Sequence, residues 1–423
     1  MGLRPGYGGA PHGRPAGVRR RAGTEMMDGD RPPRPGTEGR MRPHRHAADA
    51  LLALVSRDWA GLPVALLLAA VGGWCAALGP TWTTVLGGVL LGLAVLTGAG
   101  SLRHLRHVAR VLARYPAPGR LVDVGGHRMH VLAEGRAGGR PTVVWMPGGH
   151  SPGHELHHLH AALREETRSV LVDRPGSGWS DIGPFPRTTA TEADELLTAL
   201  EKAGERGPFV LVGHSLGGLL VANAARRRPD LVAALVLLDP TPPDVITYGP
   251  STPLLARSRS DSLRSALRCL FGIHGAGRKS PSGEPGEPDE VLRALASRAR
   301  SGCATASIYR ELSPTGMAEV GWQTMVYDGD LGDLPVVLVT PGDLTGGEEA
   351  LNGGHDATEA ERLRRFYLAT RSRFLATSTA ARRICTPAGT GHNFPHEAPE
   401  FVVGVVRTVL GELHKEQPEA GAG

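Results

Sequence analysis

Downstream of residue 118 the apolar positions gather into short runs that alternate with helix-patterned or turn-rich stretches. Residues 142–146, 169–172, 209–212, 231–238 and 335–339 are too uniformly apolar for strands wetted on one face. They predict strands buried on both faces, the pattern of a parallel sheet covered by helices. A last strand is expected at 383–385. Residues 119–134 differ, because two alternating runs meet at Gly125-Gly126 and predict a β-hairpin. Between the runs, residues 191–202 set Leu196, Leu197 and Leu200 on one helical face, and 216–228 and 401–413 also read as helices.

The front of the chain is patterned differently. Residues 62–78 and 82–102 carry no charged side chain and are separated only by Gly79-Pro80-Thr81. At about 1.5 Å per residue they predict a tight helical hairpin that crosses a core about 30 Å thick, the first run barely. Trp59, Trp74 and Trp82 stand near the ends, where indoles favour an interface. Arg42, Arg45 and Arg57 precede the first run, Arg103, Arg106, Arg110 and Arg114 follow the second, and the turn is uncharged. The positive-inside rule then puts both ends in the cytoplasm, so a multi-pass protein of the cell membrane with a cytoplasm-facing domain is expected. The alternative is a buried helical pair in a soluble protein. A signal peptide fits badly, since the apolar stretch begins late and continues twice.

Composition sets the remaining boundaries. Residues 1–47 hold ten Gly and seven Pro with almost no aliphatic residues, a mixture that cannot bury enough surface to offset chain entropy. A disordered basic tail is expected at 1–50, a transmembrane hairpin at 51–103, a folded domain at 117–413 and a short disordered tail at 414–423. Residues 1–50 carry ten Arg against five carboxylates, an excess equal to the whole chain's formal charge of +5. The rest is near neutral, and no nucleic-acid partner is expected. Cys75, Cys269, Cys303 and Cys385 show neither metal-ligand spacing nor a disulfide framework, so neither metal nor cofactor is expected.

Candidate chemistry centres on Gly213-His214-Ser215-Leu216-Gly217, wedged between an apolar run and a helical pattern. Such a turn strains the serine backbone and aims Oγ out of the sheet. It also puts the Leu216 N–H at a helix N-terminus, where an orphan donor can stabilise an oxyanion. The segment resembles the nucleophile turn of the α/β-hydrolase superfamily, and the likeness extends from Arg120 to Leu413. It implies an α/β-hydrolase fold with a mostly parallel central sheet covered by helices and a lid inserted at 241–333, here preceded by the membrane hairpin. The implied activity is that of an esterase- or lipase-like serine hydrolase, cleaving a carboxylic ester, thioester or amide through an acyl-enzyme.

The resemblance also implies roles for individual residues. Pro147-Gly148-Gly149-His150 is similar to the family's His-Gly-x loop, with Pro147 in place of the histidine, and makes Gly149 the second oxyanion donor beside Leu216. Gly391-His392 followed by Pro399-Glu400 is similar to the family's ending and makes His392 the base. Two carboxylates compete to orient it: Asp239 at the end of the strand after the serine helix, which a bacterial subgroup favours, and Asp343 after the penultimate strand. Asp173-Arg174-Pro175-Gly176-Ser177-Gly178 is similar to a loop that shapes the sheet edge, and it lacks the third glycine of a dinucleotide site. A serine nucleophile separates the chain from epoxide hydrolases and haloalkane dehalogenases, which resemble it but use Asp there.

Two rival readings stand beside this one. His154-Glu155-Leu156-His157-His158 fits His-Glu-x-x-His, the zinc-peptidase pattern, although it lies in a His-rich patch and the hydrolase series continues past it. A membrane-tethered binding module that kept the fold is the other, disfavoured by Ser215 and His392. If helical, residues 103–119 reach about 25 Å, so the lid could face the membrane. Membrane lipid and a lipophilic acyl substrate are the expected partners.

Overall fold

β1 (Arg120–Asp123), β2 (Arg128–Glu134), β3 (Thr142–Met146), β4 (Ser169–Val172), β5 (Phe209–His214), β6 (Val232–Leu238), β7 (Val336–Thr340) and β8 (Ala381–Cys385) join one sheet, ordered β1-β2-β4-β3-β5-β6-β7-β8. The computed structural model describes residues 47–149, 151–243, 251–273, 295, 298–313, 316, 324–341 and 369–416. From β4 to β8 every pairing is parallel, and only β1 and β2 run antiparallel to their neighbours.

The uninterrupted apolar runs are explained by two covered faces. Phe209 and Leu211 of β5 pack with α5 (Thr189–Ala203) and α6 (Leu216–Arg227), whereas Val210 and Val212 point the other way. There they meet α4 (His157–Leu163) and a C-terminal helix, Pro399–Glu416. Successive strand side chains face opposite layers, so every position is apolar. Each buried Leu or Val contributes about 1.5–3 kcal/mol. The edge strand β8 exposes Arg382 and Arg383, charges that blunt edge pairing and also blur its sequence signal.

The N-terminal region contains α1 (Ala47–Val55), α2 (Gly61–Ala77) and α3 (Thr81–Arg114). α3 is long and apolar enough to cross a membrane, and only 22% of its apolar window is packed inside the protein; α2 is shorter, at 17 residues. α3 continues unbroken through the basic segment to Arg114, past the expected hairpin boundary at 103. α1 takes in residues 47–50, which composition assigns to the tail, because Asp49 is buried in an ion pair with Arg310 at 3.0 Å. The rest of the expected N-terminal tail, residues 1–46, and the end of the C-terminal one, 417–423, lie outside the described residues.

Between β6 and β7 the insertion carries α7 (Ser251–Leu270) and α8 (Ala299–Glu311), the described part of the expected lid. α8 is tied to the sheet side through Glu311. Its buried carboxyl group accepts the Thr189 N–H at 2.8 Å and is hydrogen-bonded to the Thr324 hydroxyl.

Candidate active site

β5 delivers Ser215 to the carboxyl edge of the sheet, where the chain reverses into α6. Its φ of 53° lies in the left-handed region, unusual for a residue with a side chain. The turn closes through Ser215 N–H to Leu238 O at 3.0 Å and through Thr241 N–H to Ser215 O at 2.9 Å. A Cβ on Gly217 would lie 2.4 Å from Met146 O, so only glycine lets the turn pass so close to the end of β3. Leu216 is the first residue of α6, so its N–H belongs to the first-turn donors that the helix leaves without an internal acceptor.

The loop after β3 runs beside this turn. A Cβ on Gly148 would sit 3.5 Å from Ser215 Cβ, and one on Gly149 would sit 3.4 Å from Leu216 Cδ2. Two outside groups hold the loop. Arg174 Nη1 donates to the carbonyls of Gly148 at 3.2 Å and Gly149 at 3.0 Å, and Thr305 of α8 donates to Gly149 O at 2.7 Å. Arg174 is itself buried against Glu192 at 2.7 Å. With both carbonyls held, the backbone orientation at Gly149 is fixed from the loop after β4 and from the insertion between β6 and β7.

Asp239 follows directly on β6, with φ 45°, and is fully buried. His392 Nδ1 donates to Asp239 Oδ2 at 2.6 Å. On the other oxygen, Arg371 Nε lies 2.6 Å from Oδ1, an ion pair rather than an aligned hydrogen bond. Burial alone would raise the Asp239 carboxyl; the charges of Arg371 and His392 outweigh it and hold the group below its ordinary range. The competing carboxylate, Asp343, lies outside the described residues.

His214, immediately before the serine, donates from Nε2 to the His392 carbonyl at 2.9 Å, and the two rings lie 4.8 Å apart. Thus the histidine loop is tied to the serine turn by backbone as well as by side chain. Burial, then the neighbouring His392, depresses His214 to about 4 and keeps it neutral near pH 7.

The His-Glu-x-x-His residues take positions beside this loop. His154 and Glu155 lie in a 3₁₀ turn, Gly153–Leu156, and His158 in α4. His158 Nε2 donates to Pro395 O at 2.7 Å, and Glu155 lies 3.5 Å from His396 Nε2. Burial would raise Glu155, but hydrogen bonds from His396 and Ser151 bring it to about 2. Among the described residues no group of three His, Cys, Asp or Glu is arranged to hold a metal ion. Asp173 likewise builds rather than faces the site, accepting the N–H groups of Gly153 at 2.6 Å and Trp179 at 3.0 Å.

A sequence model described as the alpha/beta hydrolase family matches residues 143–405. The chain belongs to the alpha/beta hydrolase family. Among curated proteins it is similar to YbdG of Bacillus subtilis, 32% identical over 133 residues, which is 31% of this chain and 40% of the relative. A Klebsiella pneumoniae protein named "Putative carbamate hydrolase RutD" is 42% identical over 103 residues, 24% of this chain and 38% of its own. The matches therefore span well under half of those relatives. A vacuolar membrane protein of Saccharomyces cerevisiae is 34% identical over 108 residues, covering 24% of this chain and 16% of the relative. Among solved structures, ancestral haloalkane dehalogenase AncHLD2 superposes with a TM-score of 0.53 at 18% identity, over 70% of this chain and 99% of that one. Cfl2 of Burkholderia cenocepacia gives 0.50 at 24%, over 69% and 95%. These two support the fold alone.

Several residues that build the site were not singled out from the sequence. Arg174 lies in the loop after β4 with nothing local to mark its role, His214 occupies the variable position of the serine turn, and Arg371 lies in a stretch without periodic pattern. The one signal in the sequence is the Gly-His-Ser order, which puts an imidazole directly beside the serine.

Proposed function

We propose that this alpha/beta hydrolase cleaves a carboxylic ester, or a related thioester or amide, through an acyl-enzyme on Ser215. The observation that carries the reading is the 2.6 Å hydrogen bond from His392 Nδ1 to the buried Asp239, with the His392 carbonyl tied to His214. With the Nδ1 proton committed to the carboxylate, the lone pair free to take a proton is on Nε2. Ser215 Oγ then bonds to the acyl carbon as its proton passes to Nε2, and the carbonyl oxygen becomes an anion met by the N–H groups of Gly149 and Leu216. His392 returns the proton to the departing alkoxide, thiolate or amine. Water repeats the sequence on the acyl-enzyme, releasing the acid and restoring Ser215.

The second part of the proposal is location. α2 and α3 leave Leu66, Leu67, Trp74, Trp82, Val85, Val95 and Leu96 exposed, an apolar surface suited to lipid rather than to a soluble core. A two-span insertion with Arg103, Arg106, Arg110 and Arg114 on the cytoplasmic side would set the hydrolase domain beside the inner leaflet and favour lipophilic acyl substrates.

Labelling of the purified full chain by a fluorophosphonate probe tests the chemistry. Label is expected on wild type and absent from Ser215→Ala at unchanged fold. Labelling that survives the substitution puts the nucleophile elsewhere; a folded wild type that never labels favours a non-catalytic binding module.

A further inference from the structure

The far end of α7 is seated on α3. Ser101 Oγ lies 3.1 Å from the Leu270 carbonyl and 2.8 Å from that of Thr97, its single proton shared between them. A Cβ on Gly100 would lie 2.2 Å from Phe271 O, and one on Gly272 would lie 2.6 Å from Gly100 O, so backbone meets backbone there with no room for a side chain. A polar link adds a second fixed point: Asp58 bonds to His104 of α3 at 3.1 Å and pairs with Arg298, at the start of α8, at 3.1 Å. The lid is therefore fastened to the apolar hairpin as well as to the sheet.

At this joint the end of α7 and the residues that follow it leave large apolar side chains outward, beside the exposed Arg268. Leu267, Phe271 and Ile273 are 44%, 40% and 54% exposed, and Phe271 and Ile273 line one open hollow with Arg103. The level of the joint follows from helix geometry. From Thr81 to Gly100 α3 rises about 28 Å at 1.5 Å per residue, close to the roughly 30 Å of a hydrocarbon core. The exposed aliphatic surface of α3 continues to Leu102, and the arginines begin at Arg103. Phe271 and Ile273 thus stand where the apolar surface ends and the basic one begins. That arrangement matches the boundary between acyl chains and phosphates of an anionic leaflet.

We infer that the end of α7 is a membrane-contact site: Leu267, Phe271 and Ile273 insert among the outer acyl-chain segments of an anionic phospholipid bilayer, and Arg103 meets a lipid phosphate. The inference rests on the proposed membrane crossing and goes beyond it, because it puts the lid itself, rather than only a tether, in the lipid surface.

The test uses the full chain in vesicles of phosphatidylcholine and phosphatidylglycerol, with Cys385→Ser removing the exposed thiol among the described cysteines. An environment-sensitive dye is placed at Ile273→Cys, at Val95→Cys in the apolar part of α3, and at Lys415→Cys in the C-terminal helix. Expected results are loss of iodide quenching at 273 relative to 415, with stronger quenching at 273 by a lipid nitroxide near the headgroup than by one near the chain end. The order of the two nitroxides should reverse at 95. Iodide quenching at 273 equal to that at 415, with 95 protected, overturns the inference. If 95 is also open to iodide, the membrane crossing fails with it. Fluorophosphonate labelling of Ser215 in the same samples reports separately on the hydrolase chemistry, and Phe271→Cys replaces Ile273→Cys if that variant does not fold.

Discussion

Asp239→Asn is the perturbation that separates chemistry from architecture most sharply. The substitution preserves shape and removes charge at a side chain with no solvent access. Two neighbours lose a charged contact: His392 Nδ1 at 2.6 Å and Arg371 Nε at 2.6 Å. For catalysis, the amide can offer an N–H to Nδ1, which moves the imidazole proton to Nε2 and leaves nothing to receive the proton of Ser215. The imidazolium of the transition state also loses its counter-charge. In serine-protease triads this change costs about 10⁴ in turnover, or about 5.5 kcal/mol at 1.36 kcal/mol per decade. For stability, removing the charge that faces a largely buried guanidinium costs up to about 3–5 kcal/mol.

Because the two losses have similar size, turnover must be expressed per folded molecule, with the folded fraction read by near-ultraviolet circular dichroism. The double variant Asp239→Asn/Arg371→Met removes the charge that Asp239 balances. It is expected to regain most of the lost stability and none of the turnover. A turnover loss of tenfold or less, or one that recovers with stability in the double variant, refutes the assignment, and Asp343→Asn would then have to show the large effect. The pH dependence of stability has a definite sign. Since the folded Asp239 carboxyl is held below its ordinary range, its contribution is fully present above about pH 3.9 and is lost only as pH falls through the lower folded value.

Two further outcomes are expected. Burial, opposed by the Thr324 and Thr189 hydrogen bonds, raises Glu311 to about 8, so its protonated form fits the fold; stability is full below the unfolded carboxyl pKa and falls as pH rises through about 8. Thermal midpoints of wild type should therefore drop between about pH 6 and 9 more than those of Glu311→Gln, and parallel curves would refute the raised pKa. A reporter that is active only in the cytoplasm, fused after Gly423, should be active, whereas activity of a periplasmic reporter at that position would mean that only one helix spans.

Much of the fold was legible because double burial writes itself on every residue of a strand. β3 and β4 match the expected bounds residue for residue, since Val143, Trp145, Val170 and Val172 each meet a covered face. The serine turn was legible for a related reason: close backbone passage admits only glycine at 217. By contrast, the choice between Asp239 and Asp343 was not written locally, and the pair of Asp239 with Arg371 spans a wide gap in sequence. An ion pair of that kind leaves no periodicity, because its partners are brought together only by the ordering of β6, β7 and the segment before β8. The Asp49–Arg310 pair escaped for the same reason, and with it the helix that begins inside a tail-like composition.

The hairpin carries the opposite lesson, since the sequence points to a bilayer through run length, an uncharged turn and flanking arginines rather than through apolarity alone. An uncharged apolar run fits a protein core as well as a bilayer. In the folded chain α3 is mostly uncovered, and α2 packs on only part of it. An exposed apolar surface of this kind calls for another apolar phase or another protein surface to cover it. The arginines that begin at Arg103 argue for a phase with an anionic boundary, since a protein partner would give no reason for charge to collect at one end of the apolar stretch. The lid joins the hairpin at that same level, through Ser101 and Leu270. A bilayer that covers α3 therefore reaches Phe271 and Ile273, and the depth measurement at position 273 decides between a lid that rests in lipid and one held in water above it.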